Sequence, residues 1–372
     1  MNHSIQMVDL YGQYVRIKSE IDDAIASVIT NTTFINGPEV SAFQKDLENY
    51  LHVSHAIPCA NGTDALTIAL WALDLEPGSE VITTDFTFIA TAEAIARVGL
   101  VPVLVDVHPE TFNIDTQAIK QAITPKTRAI MPVHLFGQAA DMDEIMHIAQ
   151  QHNLYVIEDA AQCFGAEYYS KNGTKKLCSI GDIACTSFFP SKNLGCFGDG
   201  GALFTNNAEL ATKIRLIANH GSLKKYYHTT IGVNSRLDSI QAAILRVKLR
   251  YIDSYNAARQ KAASLYTKFL RDIPWIQTPI TNAQSNHVFH QYTITLKNTS
   301  NKELQDYLKQ HNIPSMIYYP VPMHKQEALQ QFAPQSCLVS ERLSKSVVSL
   351  PMHTELTEEQ IIYICNTIRS FK

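Results

Sequence analysis

Apolar residues recur along this chain with two different periods. From about Tyr14 to Ile29, and again after Pro38, they fall three or four positions apart. Val40, Phe43, Leu47 and Leu51 share one face of a helix that Pro38 opens. From Asn61 to Asp159 such stretches alternate with short continuous runs of apolar and β-branched residues. Strands are predicted at residues 81–84, 101–106, 129–133 and 155–159. One helix opens at Asn61-Gly62-Thr63-Asp64 and runs to about Leu75, where Glu76-Pro77-Gly78 turns the chain. Another runs from about Ala90 to Val98 and is closed by Gly99. Continuous apolar strands are buried on both faces, so the alternation predicts right-handed βαβ units and a mostly parallel sheet flanked by helices. Ligands of such sheets gather at the carboxyl ends of the strands, and Asp106 and Asp159 both lie there.

A helical stretch with few breakers, residues 237–270, reads as a connector. Beyond it the pattern predicts a strand at 288–296, a helix at 302–311, a strand at 315–319 and a last helix from about Glu358. This is a small α+β unit. The 372 residues therefore divide into a large unit, 1–250, and a small one, 251–372.

Composition narrows the functional classes. The formal net charge of −4 disfavours a nucleic-acid binder. Seven cysteines are scattered without a CxxC pair or zinc spacing, so they read as reduced core thiols and no metal is expected. The first residues carry no basic region followed by an apolar run. No apolar run is long enough to span a membrane, and the expected location is the cytoplasm.

Three features need explaining together: Asp159 at the end of a buried strand, Lys192 among apolar residues in Ser187-Phe188-Phe189-Pro190-Ser191-Lys192-Asn193, and the small-residue turn Asn61-Gly62-Thr63-Asp64. Taken singly, they read as a strand-end cap, a surface lysine and a turn. Pyridoxal 5'-phosphate needs all three. Its aldehyde requires a lysine amine, its ring nitrogen requires a fixed carboxylate, and its phosphate requires backbone N–H groups at a helix start with hydroxyls beside them. A carboxylate about 4 Å from a pyridinium contributes roughly 4 kcal/mol at an effective dielectric near 20, or about three pKa units. That decides the protonation of the ring. Gly62, Thr63 and Ser187 suit the phosphate.

Seven ordered segments resemble the DegT/DnrJ/EryC1/StrS family of sugar-nucleotide aminotransferases. They are Phe34-Ile35-Asn36-Gly37-Pro38-Glu39-Val40, the 61–66 segment, Thr87-Phe88-Ile89-Ala90-Thr91-Ala92, Glu158-Asp159-Ala160-Ala161-Gln162, the 187–192 segment, Gly198-Asp199-Gly200-Gly201, and Gly232-Val233-Asn234-Ser235-Arg236-Leu237-Asp238. The resemblance runs from about Asp9 to the C-terminus. It implies the aspartate aminotransferase fold, which is fold type I of the pyridoxal-phosphate enzymes. By position, it implies that Lys192 is the Schiff-base lysine that also shuttles the proton. Asp159 is then the pyridinium partner, Gln162 a contact to the ring face or its 3-hydroxyl, and Phe88 the aromatic stacked on the opposite face. The alternative reading of Phe88 is a core phenylalanine on an apolar helix. The resemblance further implies that Gly62, Thr63 and Ser187 bind phosphate, and that Asn234 binds it from a neighbouring subunit. A homodimer with shared sites is expected. Relatives that dehydrate carry histidine at the lysine position, so Lys192 argues against that chemistry.

On the substrate side, Arg236 can turn a planar fork toward a carboxylate or phosphate of either donor or acceptor. The basic, aromatic segment 220–228 reads either as a solvated loop or as a flap over a nucleotide diphosphate. Tyr319 and His324 are candidate substrate contacts; Tyr318 stands where the family more often has histidine. The segments around Cys196 and Gly232 look most similar to enzymes that aminate UDP-2-acetamido-2-deoxy-3-oxo-D-glucuronate with L-glutamate, for surface polysaccharide such as O-antigen. A dTDP-3-keto-6-deoxyhexose and a 4-keto sugar nucleotide are the alternative acceptors. Two other classes compete: a different fold type I enzyme such as a decarboxylase or aldolase, and a non-catalytic protein on this fold. The latter would be expected to lack Lys192 or Asp159.

Overall fold

The computed structural model describes residues 5–171, 173–332 and 337–371. In chain order the strands of the large unit are β1 (His55–Cys59), β2 (Glu80–Thr84), β3 (Val101–Val105), β4 (Thr127–Met131), β5 (Tyr155–Asp159), a hairpin of β6 (Glu167–Ser170) and β7 (Gly173–Lys176), β8 (Ile183–Ser187) and β9 (Gly201–Thr205). Seven of them form one sheet in the order β1-β9-β8-β5-β4-β2-β3. It is parallel except at β9, which runs antiparallel to both neighbours.

Both faces of this sheet are covered, and the strands show it residue by residue. Ile82, Ile130, Val156, Ala184 and Phe204 point into a core that contains Phe43, Leu47 and Leu51 of helix Pro38–Leu51 and Ile145 and Ile148 of helix Met142–His152. Their neighbours Val81, Ala129, Ile157, Ile183 and Leu203 point the other way, onto helices Gly62–Ala72 and Ala208–Ala218. This is the period-two alternation of a strand with apolar residues on both sides.

The small unit is built on β10 (Ile276–Gln277), β11 (Tyr292–Leu296) and β12 (Val347–Leu350), all antiparallel. Its core takes Ala262, Tyr266 and Leu270 from helix Ile252–Leu270 and Ile361, Ile364 and Ile368 from helix Glu358–Arg369.

Three expectations for this region change. The helical stretch 237–270 is two helices, Ser239–Leu249 and Ile252–Leu270. At the junction Arg250 and Tyr251 donate N–H groups three residues back, to Val247 and Lys248, which tightens and ends the first helix. The Arg250 guanidinium and the Tyr251 hydroxyl both bond Glu20 of helix Lys18–Asn31, so the break is held by a tertiary partner and not by a local breaker. The strand expected at 288–296 begins only at Tyr292; residues 288–291 instead bond Phe136 and Gly137. The strand expected at 315–319 is absent: Met316 alone bridges Ser349, and the chain then leaves the sheet. β12 takes the place beside β11 instead.

All seven cysteines are buried and unpaired. Among the described residues no helix is long and apolar enough to cross a membrane.

Candidate active site

The carboxyl ends of the central parallel strands open onto a cavity of about 690 Å³. This is the size of a small-molecule site. Asp159 is the last residue of β5 and Ser187 the last of β8. Thr87 and Phe88 follow β2 and lead into helix Ala90–Arg97.

Asp159 is buried, and each of its carboxylate oxygens accepts one protein hydrogen bond. Thr91 Oγ1 donates to Oδ2 at 2.8 Å, and the Ala161 N–H donates to Oδ1 at 3.2 Å. Burial pushes its carboxyl above the ordinary range, while Thr91, the Ala161 N–H and the Lys192 charge pull it back. Its neighbour Glu158 is buried too. Burial also works against the Glu158 charge, but His134 and the backbone N–H groups around it outweigh that and hold its carboxyl below the ordinary range. Cys178, Ile180 and Gly181 supply those N–H groups, and His134 Nε2 lies 3.0 Å from Oε2. His134 Nδ1 accepts the Ala140 N–H, which turns Nε2 as the donor toward Glu158.

Lys192 opens onto the same cavity from a loop pinned on its far side. The Asn193 side-chain amide donates to Asn256 Oδ1 at 2.7 Å and to the Val288 carbonyl at 3.1 Å, and Lys248 Nζ donates to the Gly195 carbonyl at 2.5 Å. The Lys192 residue is partly exposed to the cavity, yet its amine is enclosed by protein. Desolvation pulls its pKa down to about 8, against the opposing pull of Asp159. Among the described residues it has no ion-pair partner. His290 lines the cavity as well; burial, more than the Lys192 charge, keeps its imidazole far below the ordinary range and therefore neutral.

At one end of the cavity lies the start of helix Gly62–Ala72. The Asn61 side chain caps the Asp64 N–H at 2.8 Å, leaving the Gly62 and Thr63 N–H groups at the open end. A Cβ on Gly62 would lie 2.7 Å from Ser187 Cβ, so bare backbone is required where the helix start meets the serine. A Cβ on Gly201 would likewise strike the Asn61 carbonyl at 2.5 Å.

The opposite wall comes from the small unit. Gln162 Oε1 accepts the Phe136 N–H at 2.8 Å, which fixes the amide and turns its Nε2 to the Tyr319 hydroxyl at 3.0 Å. As acceptor of that bond, the Tyr319 hydroxyl keeps its own proton free. Phe88 is 55% exposed and its ring lies 6.4 Å from that of Tyr319, so it faces the cavity and is not a core residue. Tyr318, joined to Tyr319 by a cis peptide bond, also lines the cavity.

The cavity therefore brings together Gly62, Thr63, Phe88, Asp159, Gln162, Ser187, Lys192 and Tyr319. It does not include His324. That ring is held between Asp85, 2.8 Å from Nδ1, and Glu341, 3.3 Å from Nε2, so the expectation of a substrate contact there is corrected. Arg236 lies in a separate hollow of about 310 Å³ beside Arg215, and Asn234 is exposed outside the cavity of its own chain. Within segment 220–228, Gly221 and Ser222 are buried and residues 223–228 are exposed, with Lys224 4.7 Å from the Tyr227 ring and Lys225 5.1 Å from the Tyr226 ring. Thr91, His290 and Gln291 were missed by sequence reasoning. Only the Thr87/Thr91 spacing of one helical turn hinted at the first of them.

A buried lysine of lowered pKa, a buried carboxylate and an open helix start around one cavity suit pyridoxal phosphate, on an α/β sheet with a smaller antiparallel unit beside it. This is the arrangement of a fold type I pyridoxal-phosphate enzyme. The DegT/DnrJ/EryC1/StrS aminotransferase family matches residues 15–369, and the chain belongs to it. It is 46% identical over 361 residues, 97% of this chain and 98% of the relative, to the UDP-2-acetamido-2-deoxy-3-oxo-D-glucuronate aminotransferase of Pseudomonas aeruginosa. It is 45% identical to the UDP-N-acetyl-3-dehydro-α-D-glucosamine 3-aminotransferase of Acidithiobacillus ferrooxidans, covering 99% of this chain and 98% of that one. The structure of NtdA from Bacillus subtilis with bound cofactor PMP superposes with a TM-score of 0.90 at 31% identity, over all of this chain and 86% of that one. The chain is a pyridoxal-phosphate-dependent aminotransferase.

Proposed function

We propose that this enzyme moves an amino group from L-glutamate to C3 of UDP-2-acetamido-2-deoxy-3-oxo-D-glucuronate, giving the 3-amino sugar nucleotide. The observation that carries the aminotransferase reading is the Lys192 amine, pKa about 8, in one cavity with the Asp159 carboxylate and the Gly62 helix start. The acceptor is inferred from the P. aeruginosa relative. The large unit, 1–250, carries the cofactor residues, and the small unit, 251–372, supplies Tyr319.

In this reading Gly62, Thr63 and Ser187 hold the phosphate, Asp159 holds the proton on the ring nitrogen, and Phe88 and Gln162 border the ring. Bound there, pyridoxal phosphate supplies a carbonyl that takes up the amino group and an electron sink for the neighbouring carbon. Lys192 does the proton work: a pKa of about 8 lets Nζ both lose and regain a proton near neutral pH. Tyr319, its oxygen engaged by Gln162, offers its free proton to an acceptor oxygen.

Lys192 is the one lysine or arginine among the described residues that line the cavity, and the His290 imidazole is neutral. A dianionic phosphate, the glutamate carboxylates and a diphosphate need more positive charge than that. We assign it to a second copy of this chain, which brings Asn234, Arg236 and the basic segment 220–228 to the cavity of the first in a homodimer. The same shortage of cations favours a second reading, in which the acceptor is a UDP-sugar whose hexose, 3-keto-N-acetylglucosamine, lacks the uronate carboxylate. This is the sugar named for the A. ferrooxidans relative.

The test runs the reverse half-reaction with stable amino sugars. Cofactor-loaded enzyme is mixed with each UDP-3-amino sugar, and the visible absorbance of the Lys192-bound cofactor is followed. Loss with the uronate alone supports the first reading; loss with the hexose alone replaces it with the second. A colourless protein in excess pyridoxal phosphate refutes both.

A further inference from the structure

We propose that Thr91, backed by Thr87, is a positioning residue that holds Asp159 as an aimed carboxylate for the cofactor's ring nitrogen. This rests on the reading of Asp159 as that nitrogen's partner. Thr91 stands in the first turn of helix Ala90–Arg97, and Asp159 ends a strand 68 residues later. They meet because β2, which leads into that helix, and β5 flank β4 in the sheet.

Thr91 Oγ1 donates to Asp159 Oδ2 at 2.8 Å, and Thr87 Oγ1 lies 3.2 Å from Thr91 Oγ1. A hydroxyl has one proton. Thr91 gives its proton to the carboxylate, so the contact with Thr87 must be donated by Thr87. The chain runs one way, from Thr87 to Thr91 to Asp159, and both threonines are buried from competing water. The Ala161 N–H fixes the other oxygen, so two donors from two elements set the plane of the carboxylate.

The direction of this chain matters for the chemistry. Burial works to place a proton on Asp159, and a neutral Asp159 could no longer hold the proton on the ring nitrogen. A protonated Oδ2 could no longer accept from Thr91, and the chain would have to reverse, with Thr91 receiving that proton and donating to Thr87; as it stands the Thr91 bond stabilises the anion. The relay therefore favours the anion. The other groups that act on Asp159 are Lys192 and His134, and both favour its anion.

The test uses enzyme loaded with pyridoxal phosphate labelled with 15N at the ring nitrogen, whose NMR shift reports protonation directly. Thr91→Val keeps the volume and removes the hydroxyl. It is expected to move the shift toward the unprotonated value and to weaken cofactor binding roughly ten- to hundredfold. Thr91→Ser is expected to restore both. Thr91→Ala reads the same quantities should valine disturb the packing. A wild-type shift in Thr91→Val and Thr91→Ala overturns the proposal. Asp159→Asn separates the layers: if it also keeps the wild-type shift, Asp159 is not the ring's partner and the underlying reading falls with the proposal. If Asp159→Asn moves the shift and the Thr91 variants do not, the Thr91 proposal alone falls.

Discussion

With its pKa drawn down to about 8, Lys192 is an unusually reactive amine before any cofactor arrives. At pH 7 it is neutral in roughly one molecule in ten, against about one in 3,000 for a lysine at the ordinary 10.5, a ratio of roughly 300. The perturbation to test is the charge beside it. Asp159 pulls this pKa upward against desolvation, so Asp159→Asn is expected to lower it further and raise the neutral fraction at pH 7. The assay is competitive labelling of the apoprotein with a trace of acetic anhydride across pH 6–11, with Lys192 quantified by peptide mass spectrometry against surface lysines of the same digest. Only the neutral amine reacts, and the reagent carries no charge of its own to titrate. The expected profile rises with a midpoint near 8 in the wild type and at lower pH in Asp159→Asn. Pyridoxal phosphate added beforehand is expected to abolish labelling of Lys192 alone. A midpoint near that of the surface lysines, or an upward move in Asp159→Asn, refutes the reasoning.

Three further outcomes follow from the geometry. Gly62→Ala puts a methyl 2.7 Å from Ser187 Cβ and pushes the helix start away from it. Overpacking of this kind costs about 1–3 kcal/mol, and cofactor affinity by fluorescence titration is expected to fall roughly ten- to hundredfold. Glu158→Gln sets an amide donor against N–H groups on both oxygens, from Ile180 and Gly181 on one side and Cys178 and His134 on the other. It is expected to cost about 3–5 kcal/mol in urea unfolding; a loss under 1 kcal/mol would show that the pocket re-pairs. The folded pKa of Glu158 lies below the ordinary 4.5, so its contribution is present above that pH and is lost on acidification. Finally, on the proposed shared-site homodimer, Lys192→Ala and Asn234→Ala chains are each expected to be inactive alone and to regain up to about a quarter of wild-type activity when mixed, since half the dimers would be hybrids with one intact site. No recovery after subunit exchange would mean that each chain completes its own site.

Much of the site was legible where chemistry sits at the end of a regular element. Strand 155–159 follows from its apolar run, and its final carboxylate from the rule that such sheets bind ligands at their carboxyl ends. The helix start at Asn61 was legible from the small-residue turn that opens it. Other features misled. Residues 315–319 contain Met, Ile and two Tyr, which suit a strand, but that preference describes a pleated, half-buried surface and does not say which neighbour supplies it. Here Tyr318 and Tyr319 are half-buried against the cavity and not in a ladder. His324 follows Tyr319 closely enough to suggest a shared role, yet it is engaged by Asp85, 239 positions away. The break at Arg250 has no proline or glycine to announce it, because Glu20 of a distant helix holds it.

From the order of residues alone came the alternation that builds a covered parallel sheet, the reduced thiols, and the separate pieces of a cofactor site at Gly62, Asp159 and Lys192. Tertiary structure alone decided that these pieces surround one cavity with Thr91, His290 and Tyr319, and that Asn234 and Arg236 lie outside it. The physical reason is that periodicity records which face of an element is buried, whereas the order of strands in the sheet depends on pairing between segments far apart in the chain. β5 lies between β8 and β4, with β2 next, and that order brings Thr91 to Asp159. No local pattern carries it.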